Sequence, residues 1–256
     1  MFHDHVGLPS RLPCHDGGMP DHDLARELAP TGTLRAAINL GNPVLAQGTP
    51  DEPTGVTVDL ARELGTRLGV PVELLCSTAA RDSFAAVEDG RADVCFLAVD
   101  PTRAEAVAFS APYAVIEGVF VVADGSPLVV AGDVDRPGVR VGVKQGSAYD
   151  LHLTRTLTQA ELVRGGEGTT VFLDEGLEVG AGIRQPVTEF IAAHPGTRVL
   201  EPHFMEIRQA VGIPRSRSAA ADAFVHGTVE ELKADGFVAE ALTRSGRTDA
   251  SVAPPA

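Results

Sequence analysis

Between residues 34 and 99 the chain alternates extended and helical patterns, and that alternation leaves few folds open. Residues 34–39 (LRAAIN) read as a first strand, ended by a loop at Gly41, Asn42 and Pro43. A helix is expected over residues 57–69, because Val58, Leu60, Ala61, Leu64 and Leu68 form one apolar stripe at helical spacing. Thr57 precedes that stripe as a candidate N-cap, and Gly69 stops it. Val72–Cys76 reads as a second strand and Asp82–Asp89 as a short helix closed by Gly90. Ala92–Val99 is almost continuously apolar, as a strand covered on both faces should be. Strand–helix–strand–helix–strand in this order argues for a parallel sheet flanked by helices. A polar turn at Asp100–Glu105 follows, and Ala114–Ala123 is a long strand without a helix partner.

At Gly138 the pattern restarts. VRVGVKQG is a strand ending in a glycine turn, and SAYDLHLTRTL opens a helix with Ser147 at the N-cap. Strands follow at Glu161–Val163, Ala181–Arg184, Arg198–Leu200 and Ile207–Ile213, with helices at Thr169–Leu177 and Val187–Ala193. Residues 216–245 read as two helices broken at Gly227 or Gly236. The chain therefore builds one α/β lobe (31–122 plus 211–246), leaves it for a second (123–210), and returns. Two adjacent crossings make a hinge, and a cleft between two such lobes is a natural ligand site. The leader 1–30 and the tail 247–256 are expected to be disordered.

Composition narrows the partners. The formal net charge is −14 over 256 residues, which argues against nucleic acid and anionic membranes. No apolar run reaches the ~18 residues of a membrane span, so no insertion is expected. Cys14, Cys76 and Cys95 suggest neither a disulfide framework nor zinc-ligand spacing, and Cys95 reads as a buried small hydrophobe. His3, His5, Cys14, His15 and His22 are metal-ligating types in a leader without fixed geometry, so no metal site is expected. The leader has no basic start and no apolar core of a signal peptide. As it stands the chain reads as cytoplasmic. If the start is misassigned, with Met19 as a candidate start, it reads as periplasmic.

Residues 54–122 resemble the first lobe of type II periplasmic solute-binding proteins, the amino-acid-binding group of ABC importers. TGVTVDLARELGTRLGVPVEL, FAAVEDGRADVCF and PTRAEAVAFSAPY match that family's pieces in its order, and VGVKQGSAYD resembles the opening of its second lobe. The resemblance implies two Rossmann-like lobes joined by a two-strand hinge and an ABC permease as partner; no cofactor and a monomer are expected. It places Arg103 at the family's arginine, whose planar fork would grip a ligand carboxylate. It also places Ser147 and the following amides where a helix N-terminus meets an anion.

Two departures set this chain apart from amino-acid binders. Ala98 stands where the family carries Ser or Thr five residues before its arginine. In the second lobe GAGIRQPV puts Arg184 and Gln185 where an acid would hold the ligand ammonium. Together they point to a small anionic ligand, a carboxylate or dicarboxylate or a phosphorylated or sulfonated acid. Loop position adds Asn39, Asn42, Tyr113, Glu117, Lys144 and Gln209 as further ligand-binding candidates. The same fold also hosts dehydratases acting on chorismate, prephenate or arogenate. On that alternative reading Glu117 would be the acid/base group.

Overall fold

The computed structural model describes residues 22–247 and 250–256. In chain order the elements are α1 (His22–Leu28), β1 (Leu34–Asn39), β2 (Gln47–Gly48), β3 (Pro53–Thr54), α2 (Val56–Leu68), β4 (Val72–Ser77), α3 (Ala80–Glu88) and β5 (Val94–Ala98). A 3₁₀ turn at Arg103–Glu105 leads into β6 (Val107–Ala123), and a second at Ala131–Asp133 precedes β7 (Arg140–Lys144). Then come α4 (Ala148–Thr156), β8 (Glu161–Gly165), α5 (Gly168–Asp174), β9 (Val179–Ile183), α6 (Arg184–Ala193) and β10 (Thr197–Pro214). The chain closes with α7 (Ala219–Ala234), α8 (Phe237–Arg244) and β11 (Ser251–Val252).

The strands run β4-β1-β5-β10-β6-β9-β7-β8, with β11 on β6. Within each half the neighbours are parallel: β1 with β4 and β5, and β7 with β8 and β9. The halves are joined by β6 and β10, which pair antiparallel with each other through both. β5 joins the first half through Gln209–Gly212 of β10, and β9 joins the second through Gly118–Val121 of β6. The hydrogen-bonded path is thus continuous because two strands belong to both lobes.

Both long strands differ from the sequence reading, which starts the first at Ala114 and breaks the second in two. β6 starts at Val107 and runs through Pro112, a residue that ordinarily ends a ladder. A register shift between Gln209 and Ala210 accommodates it, and the Ser110 hydroxyl accepts the Val211 N–H at 3.1 Å. In β10 the two expected strands are one, with an irregularity between Leu200 and Met205.

Three local expectations are corrected. Thr57 is not an N-cap: Gly55 holds that place, and the Thr57 hydroxyl donates to the Leu45 carbonyl at 3.1 Å. Gly55 sits at φ 110°, and a Cβ there would lie 2.5 Å from the same carbonyl oxygen, so only glycine fits. Residues 22–30, read as leader, include α1, whose Leu28 is 1% exposed against the core. The tail, read as disordered, is tied down: β11 pairs with β6 and Ala253 donates to the Tyr113 carbonyl at 3.1 Å. His3, His5, Cys14 and His15 lie outside the described residues. Among those described, no group of His, Cys, Asp and Glu could hold a metal, and no helix is long and apolar enough to cross a membrane.

Helices cover both faces of the sheet in each half. α2, α7 and α8 bury Leu60, Leu64, Val229 and Leu242 against β1 and β6. α3 packs Val87 on Cys95 and Leu97, and burial pushes the Cys95 thiol up to about 12. In the second half Phe172 and Leu177 pack on Val119 and Val121.

Candidate functional site

The C-terminal ends of β1, β5, β7 and β9 point into one cavity of about 50 Å3 between the halves. Open α/β sheets bind ligands at this place, because strand ends and the loops after them converge there. The first half contributes Asn39, Asn42, Arg103 and Gln209, and the second contributes Lys144 and Ser147. Those are six of the ten expected binding residues.

Arg103 is 3% exposed. Its guanidinium donates to the Ala98 carbonyl at 3.2 Å and, across the cleft, to the Gly146 carbonyl at 3.0 Å. Burial pulls its pKa down, and the nearby Asp100 charge acts in the opposite sense. Gly146 has φ 72°, and a Cβ there would press on the Arg81 side chain at 3.0 Å. Its N–H donates to Asp150 at 2.8 Å, while the Ser147 hydroxyl accepts the Asp150 N–H at 3.1 Å. These reciprocal bonds fix the start of α4, so that Ser147, Ala148 and Tyr149 present a helix N-terminus to the cavity.

Asn39 and Asn42 shape the loop after β1. The Asn39 side-chain oxygen accepts the Gly41 N–H at 3.0 Å, and that of Asn42 accepts the Val44 N–H at 3.3 Å. With the oxygens so engaged, the amide NH2 groups are left as donors. Lys144 forms an ion pair with Glu167 at 3.0 Å and donates to the Gly41 carbonyl at 3.1 Å. Glu167, which sequence reasoning missed, precedes α5 and lines the cavity. Ala80, Leu97, Ala98, Ile183 and Ile207 supply the apolar wall.

Four expected binding residues lie elsewhere. Tyr113 is 0% exposed and packs edge-on to Phe96 in the core, because the alternation of β6 turns it inward. Arg184 does not add a cation to the cavity. Its guanidinium pairs with Glu117 and, at 2.7 and 2.9 Å, with Glu201, which together raise its pKa, Glu201 contributing most. Glu117 is held by Arg184 and by His203 Nδ1 at 3.0 Å, so it is bound within this cluster and is not among the residues lining the cavity. Gln185 donates to Glu189 at 3.2 Å within α6.

The halves are clipped together beside the cavity. Arg155 of α4 donates to the buried Asp100 at 2.6 Å, Arg81 to the Gln145 carbonyl at 3.2 Å, and Arg247 meets Glu189 at 3.4 Å. With the Arg103 and Lys144 bonds, these hold the cleft closed.

The profile of the bacterial extracellular solute-binding proteins, family 3, matches residues 34–246. No curated protein matches the chain in sequence. An ArgBP variant from T. maritima superposes with TM-score 0.71 at 20% identity, covering 87% of this chain and 99% of that one. The amino acid ABC transporter substrate-binding protein AbpA from Streptococcus pneumoniae, bound to L-arginine, superposes with TM-score 0.70 at 20% identity, covering 85% and 96%. A putative ABC transporter binding component from Wolinella succinogenes, complexed with lysine, gives TM-score 0.70 at 18% identity, covering 83% and 95%. By the profile match, the chain belongs to family 3 of the bacterial extracellular solute-binding proteins, the substrate-binding proteins of ABC transporters with the type II fold.

Proposed function

We propose that the protein captures a small solute carrying one net negative charge, grips its carboxylate with Arg103, and presents the closed complex to an ABC permease. The carrying observation is Arg103 itself. It is a buried cation whose hydrogen bonds go to carbonyl oxygens of Ala98 and Gly146, with no carboxylate bonded to it among the described residues. Asp100 acts on it only at a distance and is itself bonded to Arg155, so an incoming carboxylate would add the two parallel hydrogen bonds that the guanidinium lacks. The Asn39 and Asn42 amides and the start of α4 add neutral donors around the same space.

The charged lining of the cavity supports a monoanion as ligand. Arg103 and Lys144 are positive and Glu167 is negative, so the charged lining sums to +1. A monoanion balances it. Arginine and lysine, found in the S. pneumoniae and W. succinogenes structures, would add positive charge to a site that already has an excess. The dicarboxylate expectation rested in part on an added cation at Arg184, which is paired with Glu117 and Glu201.

Isothermal titration of the full chain with monocarboxylates, dicarboxylates, arginine and lysine tests this reading. A monocarboxylate should bind tightest, and binding should be lost in Arg103→Met. Arginine or lysine binding more tightly than every acid would overturn it.

A further inference from the structure

A second chamber adjoins the first. It has a volume of about 100 Å3 and shares Gly41, Glu167 and Ile183 with the Arg103 cavity. Beyond these shared residues its wall is Pro43 from the first half and Thr169, Gly182, Pro186 and Val187 from the second. Apart from the Thr169 hydroxyl and backbone groups, that wall is aliphatic, and no cation lines it. Lys144, which lines the first cavity, bridges two of the residues shared with the second. Lys144 Nζ is clipped between the Glu167 carboxylate at 3.0 Å and the Gly41 carbonyl at 3.1 Å. Both of its partners are wall residues common to the two chambers. The Glu167 side chain is 45% exposed, so it can swing without breaking core packing.

We propose that this second chamber is the subsite for an aliphatic tail, so that the ligand is a monocarboxylic acid with a short alkyl chain. The proposal rests on the carboxylate reading above, since Arg103 fixes which end of the ligand lies where. With the carboxylate on Arg103, the chain runs past Ile183 and displaces the Lys144–Glu167 pair. It ends between Pro43 and Val187. An apolar lining offers a tail no hydrogen bonds, so it selects by burial of methylene groups and by length. Glu167 faces the tail and disfavours a second acid there, in line with a single negative charge on the ligand.

The test is a titration series of acetate, propionate, butyrate, pentanoate and hexanoate against the full chain. Each added methylene that enters the chamber should tighten binding about fourfold, from ~0.8 kcal/mol per buried methylene, until the chamber is full. Thr169→Leu fills the chamber from the second half and Pro43→Leu from the first. Either variant should abolish the gain with length. Affinity independent of chain length, or a gain that persists in both filled variants, overturns the tail subsite. If Arg103→Met still abolishes acetate binding in that case, the carboxylate reading stands alone. If no acid in the series binds, both fail.

Discussion

Arg103 donates a hydrogen bond at 3.0 Å to the carbonyl of Gly146, a residue 43 positions later in the opposite half of the protein. One guanidinium thereby serves both the ligand site and the closure of the cleft. Arg103→Ala should weaken binding of the true ligand by about 2–5 kcal/mol, the range for truncating one partner of a buried charge pair. Arg103→Lys should recover only part of this, because an ammonium lacks the planar fork. Calorimetry checks both, and unchanged affinity in the alanine variant would contradict the assignment.

Asp100 and Arg155 are the second clip. The Asp100 side chain is 4% exposed and that of Arg155 39%, so the pair lies between a surface and a buried salt bridge. Arg155→Gln should destabilise the closed form by about 1–2 kcal/mol, above the range for exposed pairs and below that for fully buried ones. Small-angle scattering should show a more open particle, and ligand affinity should fall by a similar factor. A scattering curve identical to that of the parent protein would remove the clip.

Glu117 gives a test between binding and turnover. It is tied to Arg184 and His203 and does not line the cavity. Glu117→Gln should cost about 1 kcal/mol of stability or less and leave acid affinity within about twofold. The bound acid should be recovered chemically intact after long incubation, as mass spectrometry would read. Multiple-turnover conversion that disappears in Glu117→Gln would favour the dehydratase reading instead.

Acid stability should be set in the second half. Three hydrogen bonds from Arg140 hold Glu178 at a pKa of about 2, and the amides of Ala160, Gln159 and Thr158 hold Asp135 at about 2. Their ordinary values are 4.5 and 3.8. Folded-state values below the unfolded ones mean that the stabilisation is complete above about pH 4.5 and is lost as pH falls towards 2. Urea unfolding between pH 7 and pH 2.5 should show this loss, with a shallower acid limb in Glu178→Gln. An unchanged limb in that variant would remove Glu178 from the account.

Much of the architecture was legible because its signals are local. β5 announces itself as an apolar run with both faces covered, and Gly90, Gly146 and Gly236 mark real turns or element ends. Asn39, Asn42, Arg103, Lys144, Ser147 and Gln209 reach the cavity because strand ends and helix starts converge at one edge of such sheets. Glu167 occupies the same kind of position, in the short turn between β8 and α5.

The rest depended on partners distant in sequence. Arg184 follows directly on β9, where a ligand-binding residue is expected, yet Glu201 and Glu117, the latter 67 positions away, pair with its guanidinium. Tyr113 follows a proline in what reads as a loop, but pairing with β10 extends β6 through it and turns its ring into the core. By itself the sequence determined the βα order, the two-lobed plan and the arginine at the cleft, because hydrophobic period and turn residues act over a few positions. Only the tertiary structure decided which cations remain available to a ligand, because a charge is neutralised by whatever the fold brings within about 4 Å of it, and residue order does not encode that distance.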